Sequence, residues 1–242
     1  MRLAGRTAIV TGGGSGFGAG IARKFASEGA TVWVADINLD AARAIAQEID
    51  GKAVAVDVAR NDSVAAMVSQ TGPVDILVNN AGITHLPKPM EEVDEDEFDR
   101  VLAVNAKSVY LTARHMVPLM KAAGRGAILN VASTAGISPR ANLNWYNASK
   151  GWMITATQTM AVELAPFGIR VNALAPVAGE TPLLASFMGE DTPEMRAKFL
   201  STIPIGRFST PEDMGNAACF LCSDEASMVT GVALPVDGGR VI

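Results

Sequence analysis

The chain has 242 residues, 49% of them hydrophobic and 19% charged, with a net charge of -5. That composition can bury a large core, which excludes a disordered chain, and its acidic balance argues against a nucleic-acid or anionic-membrane partner. No apolar run approaches the roughly 18 residues of a membrane span, and Arg2 and Arg6 lead straight into a strand-like run rather than a leader peptide, so a cytoplasmic address is expected.

The first strand is predicted at Thr7–Thr11, and the glycine-rich loop Thr11 to Gly18 joins it to a helix over Gly18–Glu28. Glycines there let the backbone close on a pyrophosphate. The helix N-terminus adds free N–H groups and a partial positive charge. The dinucleotide fingerprint G-x-G-x-x-G/A is met loosely, by Gly14, Gly16 and Ala19. A second strand, Thr31–Ala35, ends on Asp36. A carboxylate in that place can accept both hydroxyls of an adenosine ribose, cap the helix that starts near Asn38, or do both. No Arg or Lys lies in the glycine loop, and Ile37 follows Asp36, so NAD is expected rather than NADP.

Further along, helices are predicted at Asp40–Ile49, Asp62–Ser69, Glu95–Ala123, Tyr146–Ala165 and Pro211–Leu221. Strands fall at Ala53–Val56, Ile76–Asn79, Ala127–Val131, Arg170–Leu174 and Val232–Pro235. The alternation describes one α/β domain over residues 1–242: a doubly wound, parallel, seven-stranded sheet with helices on both faces. Its ligand crevice lies at the carboxyl ends of the strands. The stretch from Val177 to Pro204 breaks the pattern and reads as a mobile lid.

Three features look chemical and are better read as structural. The acidic run 91–97 opens a helix, where carboxylates complement the macrodipole, so it is not taken as a metal site. Cys219 and Cys222 lie in the middle of an apolar helix and read as buried thiols. His85 and His115, the only histidines, have no ligand spacing, so no metal is expected, and His85 reads as a solvated loop residue in preference to one lining the pocket mouth.

Tyr146 and Lys150 stand four apart on one helix face. A phenol of pKa about 10 is a poor proton carrier at neutral pH, and an ammonium one turn away lowers that value. With this pair the chain resembles the short-chain dehydrogenase/reductase family from Arg6 to Gly239. The family's T-G-x-x-x-G-x-G matches Thr11 to Gly18, N-N-A-G matches Asn79 to Gly82, and its Asn, Ser and Y-x-x-x-K match Asn105, Ser133 and Tyr146 to Lys150.

The resemblance implies a Rossmann-type fold and an enzyme that moves a hydride between a nicotinamide and an alcohol or ketone. Ser133 would polarise the substrate carbonyl, Tyr146 would exchange its proton, Lys150 would lower the phenol and hold the nicotinamide ribose, and Asn105 would anchor a relay water. Implied cofactor contacts are Gly12, Ser15, Gly16, Phe17 and Gly18, then Asp36, Ile37, Asp57 and Val58. Asn79, Ala81 and Gly82 would form the adenosine wall, although a buried Asn79 bracing the sheet serves as well. Tyr146, Lys150, Pro176, Val177 and Thr181 complete the set, with Val177 standing where the family has Gly.

The expected substrate wall is Ser133, Ala135, Asn142, Trp145, Val177, Leu183 and Phe187, with Thr134, Leu184 and Met188 beside them. It is apolar and holds no basic residue, which suits a neutral alcohol or ketone. Other readings within the family are an NADP-dependent 3-oxoacyl reductase or a sugar dehydrogenase. Ala127 and Phe167 stand where the former carries basic residues for its acidic carrier, and Asn142 and Asn144 could bind sugar hydroxyls. A non-catalytic NAD-sensing regulator would need the glycine loop and no proton relay. The helices at 95–123 and 146–165 look apolar over more than one face. The family pairs them with symmetric copies, and the strand at 232–235 would form a second contact, so a homotetramer is expected.

Overall fold

The computed structural model describes residues 1–242. Seven strands form one sheet: β1 Thr7–Thr11, β2 Thr31–Asp36, β3 Lys52–Ala55, β4 Ile76–Asn79, β5 Gly126–Val131, β6 Ile169–Pro176 and β7 Ala233–Val236. They run parallel in the order β3-β2-β1-β4-β5-β6-β7. Both faces of such a sheet are covered, which is why its strands read as near-continuous apolar runs.

β1 shows how the two faces divide. Ala8 and Val10 join a core with Ile21 and Phe25 of α1 (Gly16–Ser27), Ile45 of α2 (Leu39–Glu48) and Met214 of α9 (Pro211–Cys222). Ile9, pointing the other way, joins Met67 of α3 (Asn61–Thr71), Met116 of α5 (Ser108–Ala123) and Leu164 of α6 (Asn144–Leu164). The chain leaves β1 toward β2 and returns at β4 on its other side. That switch point opens a crevice above the carboxyl ends of β1 and β4. No helix is long and apolar enough to cross a membrane.

The helix expected over 95–123 is interrupted. α4 (Glu95–Leu102) and α5 are joined by a five-residue π turn, Ala103–Lys107. This turn carries Asn105 inward to bind the backbone of Ile83, and such π bulges recur at functional sites. The segment 177–204 holds two helices, α7 (Leu184–Met188) and α8 (Pro193–Leu200), too short to register as periodicity. Thr192 caps the second, its hydroxyl accepting from Met195 N at 3.2 Å. The acidic run is used structurally: Asp94 caps α4 by accepting from Glu97 N, and Glu97 pairs with Lys88 at 2.6 Å. Cys219 and Cys222 are free and buried in the core.

The helix faces are less apolar outward than the sequence suggests. Val101, Val109, Leu111, Met116 and Met120 are consumed by the chain's own core, which leaves Tyr110, Trp152 and Val162 exposed.

Candidate active site

One cleft of about 480 Å³ opens at the carboxyl ends of β1 to β6. The turn after β1 is tied down before any ligand arrives. Thr11 Oγ1 donates to Val78 O and accepts from Asn80 N and Ala81 N, while Asn80 Nδ2 donates to Thr11 O and Gly12 O. Gly12, at φ +62, backs onto the Ala81 backbone, where a Cβ would stand 2.9 Å from Cα. Ser15 makes no side-chain cap for α1, so its first turn presents uncapped N–H groups beside Gly12, Ser15, Gly16 and Phe17 on the cleft wall. This bare cradle fits a pyrophosphate.

Gly18 is not on that wall. A Cβ there would meet Gly12 O at 2.1 Å and Asn80 Nδ2 at 2.5 Å, so this glycine lets helix and loop touch. Asp36 lines the cleft, with Oδ2 accepting from Gly14 N and Oδ1 from Asn38 N, both at 2.9 Å. The cap of α2 is Asn38, not Asp36, because Asn38 Oδ1 accepts from Ala41 N. Ile37, Asp57, Val58, Ala81 and Gly82 line the same end. Asn79 does not. Its Nδ2 donates to Asn130 Oδ1 and its Oδ1 accepts from Thr112 Oγ1, each at 2.8 Å, in a buried brace beneath the site.

Ser133, Tyr146 and Lys150 share the cleft with this cradle. Burial pushes the Tyr146 phenol up to about 12, with the Ser133 hydroxyl and the Arg140 charge pulling the other way. The Lys150 ammonium lies 5.9 Å from the centre of the Tyr146 ring and donates to Val131 O at 2.8 Å, and burial brings it down to about 8. Asn105 lies behind the cleft, fully buried. Its Oδ1 accepts from Ile83 N, and its Nδ2 donates to Ile83 O and to Ser149 Oγ, which donates to Tyr146 O. Both amide hydrogens are thereby taken up by protein partners.

The opposite end of the cleft differs most from expectation. Ala135, Val177, Leu183 and Phe187 line it with Pro176 and Thr181, whereas Asn142 and Trp145 do not. Asn142 takes φ +65 and turns the chain into α6. The Trp145 ring packs edge-on against Phe98 at 5.3 Å and donates Nε1–H to Met90 O. Buried Leu143, between them, faces the cleft instead. Leu184 and Met188 turn away into a small core with Val177, Ile203 and Phe208. The Phe187 ring meets Tyr146 edge-on at 5.1 Å.

Two arginines, Arg140 and Arg240, also line the cleft, contrary to the expected absence of basic residues. Ser138, Phe199 and Thr202 were missed with them, because they come from loops and a short helix that carry no motif. His85 is buried rather than solvated, its Nδ1 2.8 Å from Leu86 O, and Nε2 has no partner. Ala127 lies buried in β5, so it presents nothing to a carrier protein.

A nucleotide-binding crevice with a Ser–Tyr–Lys set at the switch point of a parallel sheet defines a nicotinamide-dependent oxidoreductase acting on alcohols and carbonyl compounds. A family model described as enoyl-(acyl carrier protein) reductase matches residues 12–240. The chain is 50% identical to 4-formylbenzenesulfonate dehydrogenase of Comamonas testosteroni, with 100% of both chains covered. It is 41% identical to cis-4-hydroxycyclohexanecarboxylate dehydrogenase of Sinomonas cyclohexanicum, over 97% of this chain and 96% of that one. Among solved structures, 3-ketoacyl-(acyl-carrier-protein) reductase from Brucella melitensis complexed with NADH superposes with a TM-score of 0.93 at 50% identity, over 99% of this chain and 100% of the other. The protein belongs to the short-chain dehydrogenase/reductase family.

Proposed function

We propose that this enzyme interconverts a ring-bearing alcohol and its ketone or aldehyde with NAD, Tyr146 handling the proton. The convergence of Ser133, Tyr146 and Lys150 with the glycine cradle and Asp36 in one cleft carries this reading. A bound nicotinamide supplies or takes the hydride. The chain's own residues do the rest. Ser133 donates to the substrate oxygen and orients it. Tyr146, its phenol raised by burial, is protonated at neutral pH and gives its proton in the reductive direction. Lys150 offers its remaining N–H donors beside Gly82, where a ribose would lie. Asn105 is a positioning residue that fixes the first turn of α6 through Ser149.

The reading favours NAD because Asp36 would repel a 2′-phosphate, and Ile37 beside it offers no cation. Leu143, Phe187 and Phe199 can flank a six-membered ring of the kind that names the two curated relatives. Residues 177–204 serve as a lid: Thr181 lies over Gly16, Phe187 over Tyr146, and a core separate from the sheet holds the segment together. Exposed Tyr110, Trp152 and Val162, with edge strand β7, are the faces on which a homotetramer would close. The acidic, cysteine-poor composition suits a cytoplasmic enzyme. The test is absorbance of NADH formed from NAD across a panel of ring-bearing alcohols. Turnover of none of them, with either NAD or NADP bound, would refute the proposal.

A further inference from the structure

We propose that Arg140 and Arg240 form an anion-binding subsite at the substrate end of the cleft, so that the substrate carries a carboxylate or sulfonate remote from its reacting carbon. The inference rests on the alcohol–carbonyl reading above and adds the charge of the substrate.

Elsewhere in the molecule every arginine finds an acceptor: most hold carboxylates, Arg100 and Arg170 donate to backbone carbonyls, and Arg114 donates to the Tyr110 hydroxyl. Arg2, Arg23, Arg60, Arg196 and Arg207 each hold a carboxylate at the surface. Arg140 and Arg240 hold none, although both are half-buried and line the cleft. Burying a guanidinium without an acceptor is costly, and placing a second one near it is costlier still. The two are near enough to feel each other. The Arg140 guanidinium is held below its ordinary range first by burial and then by the like charge of Arg240, with Tyr146 acting in the opposite sense.

The carboxylate nearest in sequence is already committed. Asp237 is buried, with Oδ1 accepting from Gly239 N and Oδ2 from Val241 N, each at 3.0 Å. That turn backs onto Ile203 and Pro204 and so fixes where Arg240 emerges. Arg140 is fixed by stacking, its guanidinium 4.4 Å above the Phe199 ring. Two guanidinium forks with no protein acceptor match the planar, multidentate oxygens of a carboxylate or sulfonate. Apolar Leu143 and Phe187 share this end of the cleft with Tyr146, so a hydrocarbon spacer suits the span between the anion and the reacting carbon.

The test uses para-substituted benzaldehydes and acetophenones that carry a carboxylate, a sulfonate or the uncharged carboxamide, with NADH oxidation as the readout. The parent should prefer the acids over the amide by about tenfold or more in kcat/KM. Arg140→Gln and Arg240→Gln should each lower kcat/KM for the acids by about 10- to 100-fold, mostly through KM. Any effect of losing the Arg140 charge on Tyr146 falls on acid and amide alike, so the acid-to-amide ratio of kcat/KM should fall by about tenfold or more in each variant. Equal use of acid and amide by the parent, or equal losses on both in the variants, overturns the subsite. Calorimetric titration of benzoate and benzenesulfonate into the enzyme–NADH complex reads the same site without turnover. Binding that weakens in both variants supports the subsite, and no binding to the parent overturns it. If anions bind while no alcohol or carbonyl compound turns over, the oxidoreductase reading fails and the anion site stands.

Discussion

Replacing Asn79 with Ala breaks the buried amide brace that joins β4 to β5 and α5. Two hydrogen bonds of 2.8 Å disappear. Thr112 keeps a second acceptor in Val109 O at 3.1 Å, so it loses one bond and is not orphaned. Asn130 Oδ1 loses its donor inside a buried strand, while its Nδ2 still binds Thr157. An orphaned buried acceptor costs about 1–3 kcal/mol and a lost but replaceable bond about 1 kcal/mol, giving about 2–4 kcal/mol in all. For a chain of this size that lowers Tm by about 4–16 °C. Because the Asn79 side chain does not face the cleft, NADH affinity should change less than about twofold. Differential scanning calorimetry and a fluorescence titration with NADH separate the two effects. An unchanged Tm with NADH binding weakened more than about tenfold would refute the brace and return Asn79 to the cofactor wall.

Tyr146→Phe should fold and bind NADH but lose about 10²–10⁴-fold in turnover, the range for a positioned proton donor; steady-state rates within about threefold of the parent would remove it from the mechanism. Asp36→Ala should lower the NAD/NADP ratio of kcat/KM, and it should also loosen the glycine loop, because Gly14 N loses its acceptor; an unchanged ratio refutes the assignment. Lys150 sits at about 8 folded against 10.5 ordinarily, so between these values the unfolded chain holds more proton. Its contribution to stability is therefore complete above pH 10.5 and is lost as pH falls through 8. Urea unfolding should show the parent gaining on Lys150→Met between pH 8 and 10, and Tyr146 opposes this only above its ordinary 10. Light scattering at micromolar concentration should give four subunits, and an active monomer would sink the assembly.

The sheet was legible because period and length agree along nearly every element. Strands such as Thr7–Thr11 and Ile76–Asn79 are short apolar runs. The cofactor end was legible for a different reason. Its residues lie in the loop directly after a strand, where sequence neighbours remain spatial neighbours. The π turn at Asn105 was invisible, because apolar residues are dense enough on both sides of it to hide the change of register. The substrate end was only half legible. Arg140, Phe199 and Arg240 come from three separated segments that meet through tertiary packing alone. Within one short stretch, Asn142, Leu143 and Trp145 differ in outcome because a single left-handed residue sets which of them turns inward.

The five-residue core built from residues 177–208 has an evolutionary consequence. Val177, Leu184, Met188, Ile203 and Phe208 pack on one another and form no part of the two large cores that hold the sheet. A substitution on α7 or α8 that reshapes the wall around a new substrate therefore disturbs a local packing unit, and the energy of the main fold is left nearly intact. The helix behind the glycine cradle has no such freedom: a methyl group added at Gly20 of α1 would stand 2.2 Å from Pro211 O of α9. Selection can thus explore new substrates through one small and replaceable cluster while the hydride chemistry is inherited unchanged.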